Sequence, residues 1–163
     1  MAKNKPFTIR VDTREHEGNA WTFEAFALSD SSFDVISTKV DIGDYDIFEL
    51  PEKTLCIERK KSYTEICNNI SKKDSPRFMR ELEKMSAYKY AYIICEFTIH
   101  DVLKGSKFTT LPPAYVLSVL TEIEAQLGIH VHFAGKEAEL LAYRILRKIW
   151  FLENGTPRWL KKA

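Results

Sequence analysis

The chain has 163 residues, 45% of them hydrophobic, with a formal net charge of +1. That is enough to bury one core, so one domain over residues 1–163 is expected, with short flexible ends at 1–5 and 156–163. No apolar run approaches the roughly 20 residues that cross a bilayer, and the opening MAKNKPFTIR has no apolar signal core; a cytoplasmic protein without a membrane partner is expected. Cys56, Cys67 and Cys95 are odd in number and lack zinc spacing, so they read as reduced, partly buried thiols. Charge is unevenly spread. Residues 1–51 carry five Lys/Arg against ten Asp/Glu, and residues 52–80 carry eight against four. An acidic end beside a basic strip suits a protein that holds a cation and meets phosphates. Ordinary surface charge is the plain alternative.

Pro6–Asp12 alternates as a strand and ends in Asp12, Arg14 and Glu15. His16 follows as a loop histidine, either solvated or a proton shuttle near neutral pH. Trp21–Leu28 has helical spacing with an aromatic face, expected as core. Ser29–Ser32 is a turn, and Phe33–Val40 is a second strand. Asp41–Lys61 then reads as a β-hairpin: Tyr45–Leu50 and Thr54–Ile57 flank a Pro-Glu-Lys turn. Gly43 lets the chain bend before Asp44. Glu58 and Lys60 are two apart and share a face, while Arg59 points the other way. The hairpin folds Asp44 back towards Glu58, placing two carboxylates and an ammonium at one end of the sheet. Mg²⁺ is commonly held by one or two carboxylates with water and phosphate, and a nearby lysine offsets charge on a reacting phosphate. The grouping suits metal-assisted phosphodiester hydrolysis; the plain alternative is a solvated charged strand end.

Ser62–Ile70 reads as a helix capped by Ser62, with Glu65 three residues on as a capping box. Glu65 is therefore a cap first and a metal ligand second. Asp74 or Ser75 with Pro76 starts another helix. Lys72, Lys73, Arg77 and Arg80, together with Lys61, are the candidate phosphate contacts. Tyr90–Phe97 is a near-continuous apolar strand, buried on both faces. A helical turn at Ile99–Leu103, a loop at Gly105–Leu111 and a helix at Pro112–Leu127 follow, with Gly128 as its stop. Ile129–Phe133 is a short strand. His130 and His132 share a face on it, but two histidines without further ligands make a poor zinc site. Lys136–Phe151 is the last helix, and Trp159 lies in a basic tail. The sum is an α/β domain with a mixed central sheet, roughly six strands and five helices.

Three segments in order, Val11-Asp12-Thr13-Arg14-Glu15, Gly43-Asp44-Tyr45 and Glu58-Arg59-Lys60, closely resemble the nuclease domain of the XPF–Hef family of structure-specific DNA endonucleases. The resemblance implies a restriction-endonuclease-like fold and a Mg²⁺- or Mn²⁺-dependent endonuclease that cuts branched, flap or fork DNA in repair, recombination or replication. It implies Asp44 and Glu58 as metal ligands, with the Arg59 carbonyl a further one. Asp12 would join them, and Glu15 would support the site. Arg14 and Arg59 would steady phosphate or carboxylates, and Lys60 would position the attacking water. One position departs from the family: its pattern ERKxxxD has Thr64 here in place of the aspartate, followed by Glu65. A catalytically inactive DNA-binding or dimerising scaffold therefore stands as an alternative, and a restriction-like duplex nuclease is a third. The family's later helices carry a dimer interface, which implies a homodimer. The family's tandem helix-hairpin-helix module is not seen, so a helper DNA-binding protein, or a compact phage or mobile-element version acting alone, is expected.

Overall fold

The site-bearing strand is flanked by the two strands that complete it. β3 (Tyr45–Ile47) runs antiparallel to β4 (Leu55–Lys60), with Tyr45 opposite Ile57. β5 (Tyr90–Cys95) runs parallel to β4 on the other side, with Lys60 beside Cys95. β1 (Phe7–Asp12) is antiparallel to β3 and parallel to β2 (Phe33–Thr38), and β6 (His130–Phe133) is parallel to β5. The result is one mixed six-stranded sheet in the order β2-β1-β3-β4-β5-β6. The computed structural model describes residues 6–15, 18–155 and 159–160. His16 and the proposed flexible ends lie outside the described residues, except Trp159 and Leu160, both exposed.

Each face of the sheet carries a hydrophobic layer. On one face Cys56, Ala91, Ile93 and Cys95 pack under α2 (Tyr63–Ile70), α3 (Ser75–Ser86), α4 (Ile99–Lys104) and α5 (Pro113–Leu127). On the other, Phe7, Ile9, Tyr45, Ile57 and Ile94 pack under α6 (Ala138–Glu153). Alternate residues of β4 and β5 enter opposite layers, as period-two alternation requires. All three cysteines are free and buried, as expected. Among the described residues, no helix is long and apolar enough to cross a membrane.

Two expectations change. Trp21–Leu28 is not one helix: only Glu24–Ala27 is helical, forming α1. Phe23 takes the left-handed conformation, φ 58°, immediately before it. Burial explains this. Trp21 and Phe23 insert under the sheet, and Trp21 stacks on Tyr45 at 4.8 Å between ring centroids; a continuous helix could not deliver both rings there. Tertiary packing outweighs local periodicity. The hairpin's first strand also ends early, at Ile47. Beyond it the Phe48 N–H donates to the carbonyl of Thr8 on β1, and the loop to Leu55 turns through Lys53 at φ 58°.

Candidate active site

Asp44 is fixed from both sides before its side chain does anything. Its N–H donates to the Ile57 carbonyl of β4, and its carbonyl accepts from the Asp12 N–H at the end of β1, both at 2.8 Å. Gly43 makes this approach possible. Its φ is 83°, and a Cβ there would lie 2.8 Å from the Ile57 oxygen. No other residue fits without moving β4. The Arg59 N–H then donates to Asp44 Oδ2 at 2.8 Å.

Glu58 and Lys60 share the face that Asp44 occupies, as the alternation predicts. Lys60 is almost fully buried, with Nζ 3.0 Å from Glu58 Oε1, 3.9 Å from Glu65 Oε1 and 5.1 Å from the centroid of the Phe78 ring on α3. Burial, and next the charge of Glu58, push the Asp44 carboxyl up to about 8. Burial raises Glu58 as well, against the pull of Lys60. Burial opposes the charge on Lys60, but Glu58 and Glu65 outweigh it and hold the ammonium above the ordinary lysine value. Lys60 is therefore a buried, persistent cation.

The donor set fits a hard divalent cation. Among the described residues, hydrogen bonds reach the Asp44 carboxylate only at Oδ2 and the Glu58 carboxylate only at Oε1, leaving the second oxygen of each. Two partly buried acids, one raising the other's pKa, are relieved by a positive charge between them. No group of three or more His, Cys, Asp or Glu side chains forms a complete cage among the described residues. A site of two carboxylates completed by main chain, water and phosphate suits Mg²⁺ better than zinc.

Arg59 lies on the opposite face of the sheet. It is buried, stacked over Trp21 at 4.7 Å, and each arm of its guanidinium is engaged. NH1 donates to Glu15 Oε2 at 2.8 Å and to the Asn19 carbonyl at 2.6 Å, while Nε donates to Glu96 Oε1 at 2.9 Å. NH2 is 2.8 Å from the same Glu96 oxygen. The Tyr45 hydroxyl donates to Glu15 at 3.0 Å. Arg59 thus steadies carboxylates and has no surface for phosphate. Glu15 belongs to this clamp, across the sheet from Asp44 and Glu58.

Asp12 and Arg14 form a third unit. The Asp12 side chain has no exposed surface. It accepts from the Arg14 N–H, Nε and NH2 at 2.8, 2.7 and 3.2 Å, and from the Val40 N–H at 2.8 Å. Burial alone would raise its pKa, but these hydrogen bonds, Arg14 foremost, bring it below the usual carboxylate range. The expectation that Asp12 ligates an ion meets a carboxylate whose two oxygens are already taken. Arg14 is different. Its side chain is 71% exposed, and the charges of Asp44 and Glu58 act on it, so its guanidinium lies within electrostatic reach of the carboxylate pair.

The basic candidates are partly gathered. α3 carries Phe78, against Lys60, and the exposed Arg77 and Arg80 on the same helix. Lys72 and Lys73 are exposed in the turn before it. Arg77 is held by Asp74, at 3.0 and 2.8 Å. Lys61 sits elsewhere, its Nζ 3.8 Å from Glu15. Thr64 shares a hydrogen bond with Ser106 Oγ at 2.9 Å. Glu65 takes the capping role and lies close to the site lysine. Its N–H donates to Ser62 Oγ, while its carboxylate accepts from the Lys61 N–H at 2.7 Å and lies beside Lys60. The box closes one residue early, on Lys61 rather than on Ser62. His130 and His132 stack on Tyr92 at 5.0 and 5.9 Å and serve packing.

Sequence reasoning missed Glu96 and the Tyr45 hydroxyl. The available signal for Glu96 was a lone acid closing the apolar run of β5. Its partner stands 37 residues earlier and becomes visible only once β4 and β5 pair.

A family model described as the ERCC4 domain matches residues 11–143. No curated protein matches the sequence. Among solved structures, XPF from Aeropyrum pernix aligns with a TM-score of 0.62 at 16% identity, covering 91% of this chain and 66% of that one. XPF from Aeropyrum pernix in complex with DNA gives 0.58 at 16% identity, covering 95% and 68%. The chain thus spans about two thirds of the length of these structures, and the likeness establishes the restriction-endonuclease-like fold.

Proposed function

The chain belongs to the ERCC4 domain family, and from that premise we propose that it is a divalent-metal-dependent endonuclease acting on branched, flap or fork DNA. The observation that carries this reading is the half-buried Asp44–Glu58 pair with the buried Lys60 ammonium 3.0 Å from Glu58. Asp44 and Glu58 hold Mg²⁺ or Mn²⁺, which when bound polarises a phosphodiester and acidifies water. Asp12 orients Arg14, and Arg14 presents its exposed guanidinium to the phosphate. Lys60 orients the attacking water and offsets charge as the phosphorus becomes five-coordinate. Glu15 and Arg59 brace the strand from behind. Lys72, Lys73 and Arg80, with Arg77 released from Asp74, track the phosphate backbone. A second copy or a helper DNA-binding protein supplies the rest of the grip on the branch point.

Thr64, which supplies no charge at the family's aspartate position, favours a second reading as an inactive DNA-binding scaffold. The Glu65 carboxylate beside Lys60 weighs against it, because it returns an acid to the same end of the sheet. Cleavage by the wild type, Glu58→Gln and Lys60→Met on a labelled fork decides between the two. The nuclease reading expects metal-dependent cutting by the wild type and losses of at least about a hundredfold in both variants. Branched-DNA binding with no cutting in Mg²⁺ or Mn²⁺ by the wild type establishes the scaffold.

A further inference from the structure

The geometry points to Glu96 as a positioning residue for the metal-holding carboxylates, acting through Arg59 and never touching metal or DNA itself; this inference rests on the nuclease reading above. Glu96 follows directly on β5 and grips the catalytic strand in two ways. Its N–H donates to the Lys60 carbonyl at 2.8 Å, extending the parallel ladder one residue past Cys95. Its side-chain Oε1 receives Nε and NH2 of Arg59, at 2.9 and 2.8 Å, and the indole N–H of Trp21 at 2.7 Å. One oxygen therefore fixes both the guanidinium and the ring that the guanidinium stacks upon.

The consequence lies on the other side of the sheet. Arg59 stands between Glu58 and Lys60 in the chain, and its own N–H orients Asp44 through Oδ2. Its side chain is 7% exposed. With Glu96 truncated, NH1 keeps Glu15 and Asn19, but Nε and NH2 lose their acceptor in a site largely closed to water. A buried guanidinium left partly unpaired does not stay in place; it turns towards solvent and takes the strand with it. The Arg59 N–H then moves off Asp44, and the spacing of Asp44 and Glu58 loosens. Residues that orient ligating groups through hydrogen bonds commonly change metal affinity or activity 10- to 100-fold.

The test is Mn²⁺ binding to the full chain, followed by electron paramagnetic resonance without DNA, beside steady-state cleavage of a fork by the wild type, Glu96→Ala, Glu96→Gln and Glu96→Asp. Glu96→Ala is expected to weaken Mn²⁺ binding and lower kcat by about 10- to 100-fold, with KM for DNA and metal-free fork binding unchanged. Glu96→Gln keeps an acceptor oxygen for Trp21 and Arg59 and is expected to recover most of both losses. Glu96→Asp keeps the charge but is one methylene shorter. It is expected to fall between the two, and it carries the test if the Ala variant does not fold. Wild-type Mn²⁺ affinity in both the Ala and Asp variants overturns the proposal. So does loss of metal-free DNA binding, which would make Glu96 a DNA contact, and so does a Gln variant as impaired as Ala. A wild-type chain that neither binds Mn²⁺ nor cuts DNA defeats the nuclease reading itself, whatever the variants do.

Discussion

Replacing Asp44 by Asn removes one charge from a partly buried pair while preserving its shape, and the metal-free protein should become more stable. Burial and the neighbouring Glu58 raise the Asp44 carboxyl to about 8, whereas in the unfolded chain it titrates near 4. Between those values the folded protein retains a proton that the unfolded chain has released, so stability falls as pH rises. The loss is absent below about pH 4, grows through neutrality and is complete above about pH 8. Asparagine incurs none of it. One pKa unit corresponds to about 1.4 kcal/mol. Sharing the rise between Asp44 and Glu58 leaves Asp44→Asn more stable by about 3 kcal/mol at pH 8 and nearly equal at pH 4. Urea unfolding in EDTA at pH 4, 6 and 8 measures this. Divalent metal should nearly erase the difference at pH 8, because an ion at a hundredfold its Kd stabilises only the wild type, by about 2.7 kcal/mol. A variant no more stable than the wild type at pH 8 in EDTA refutes the buried-pair reasoning.

Asp12→Ala should destabilise the fold by about 3 kcal/mol, since the N–H groups of Val40 and Arg14 lose their acceptor; urea titration at pH 7 reads it. Because the folded Asp12 carboxyl titrates below its ordinary value, that contribution is present above about pH 4 and lost as pH falls through the lower folded value. Gly43→Ala forces a Cβ to 2.8 Å from the Ile57 oxygen at positive φ, and should cost about 2 kcal/mol or more and disturb Asp44; thermal unfolding and fork cleavage together check it. Alanine at Lys72, Lys73 or Arg80 should each lower the slope of log affinity against log salt by about 0.9 in fork binding. Arg77→Ala should change it less, because Asp74 already neutralises that arginine.

The opposition of Glu58 and Lys60 to Arg59 was legible in the sequence because strand alternation is strictly local. So was the bend at Gly43, and so were the buried β5 and the helix starts at Ser62 and Pro76. What could not be read depends on pairing at a distance. Asp12 spends its carboxylate partly on Val40, 28 residues away, and Arg59 finds Glu96 only through the parallel β4–β5 contact. Phe23 leaves the helical region because the sheet takes its ring and that of Trp21, which no local pattern announces. Glu65 was legible as a cap, yet its place beside Lys60 shows only once α2 packs back on β4.

One cleavage measurement distinguishes a metal-dependent nuclease that reads DNA structure from any other reading of this site. The substrates are 5′-labelled duplex, single strand, 3′-flap, fork and four-way junction, each in Mg²⁺, Mn²⁺ and EDTA, with Asp44→Asn in parallel. Cutting of flaps or forks should require metal and disappear in the variant. Cutting of plain duplex at the same rate, or cutting that survives in Asp44→Asn, contradicts a structure-reading, metal-dependent nuclease.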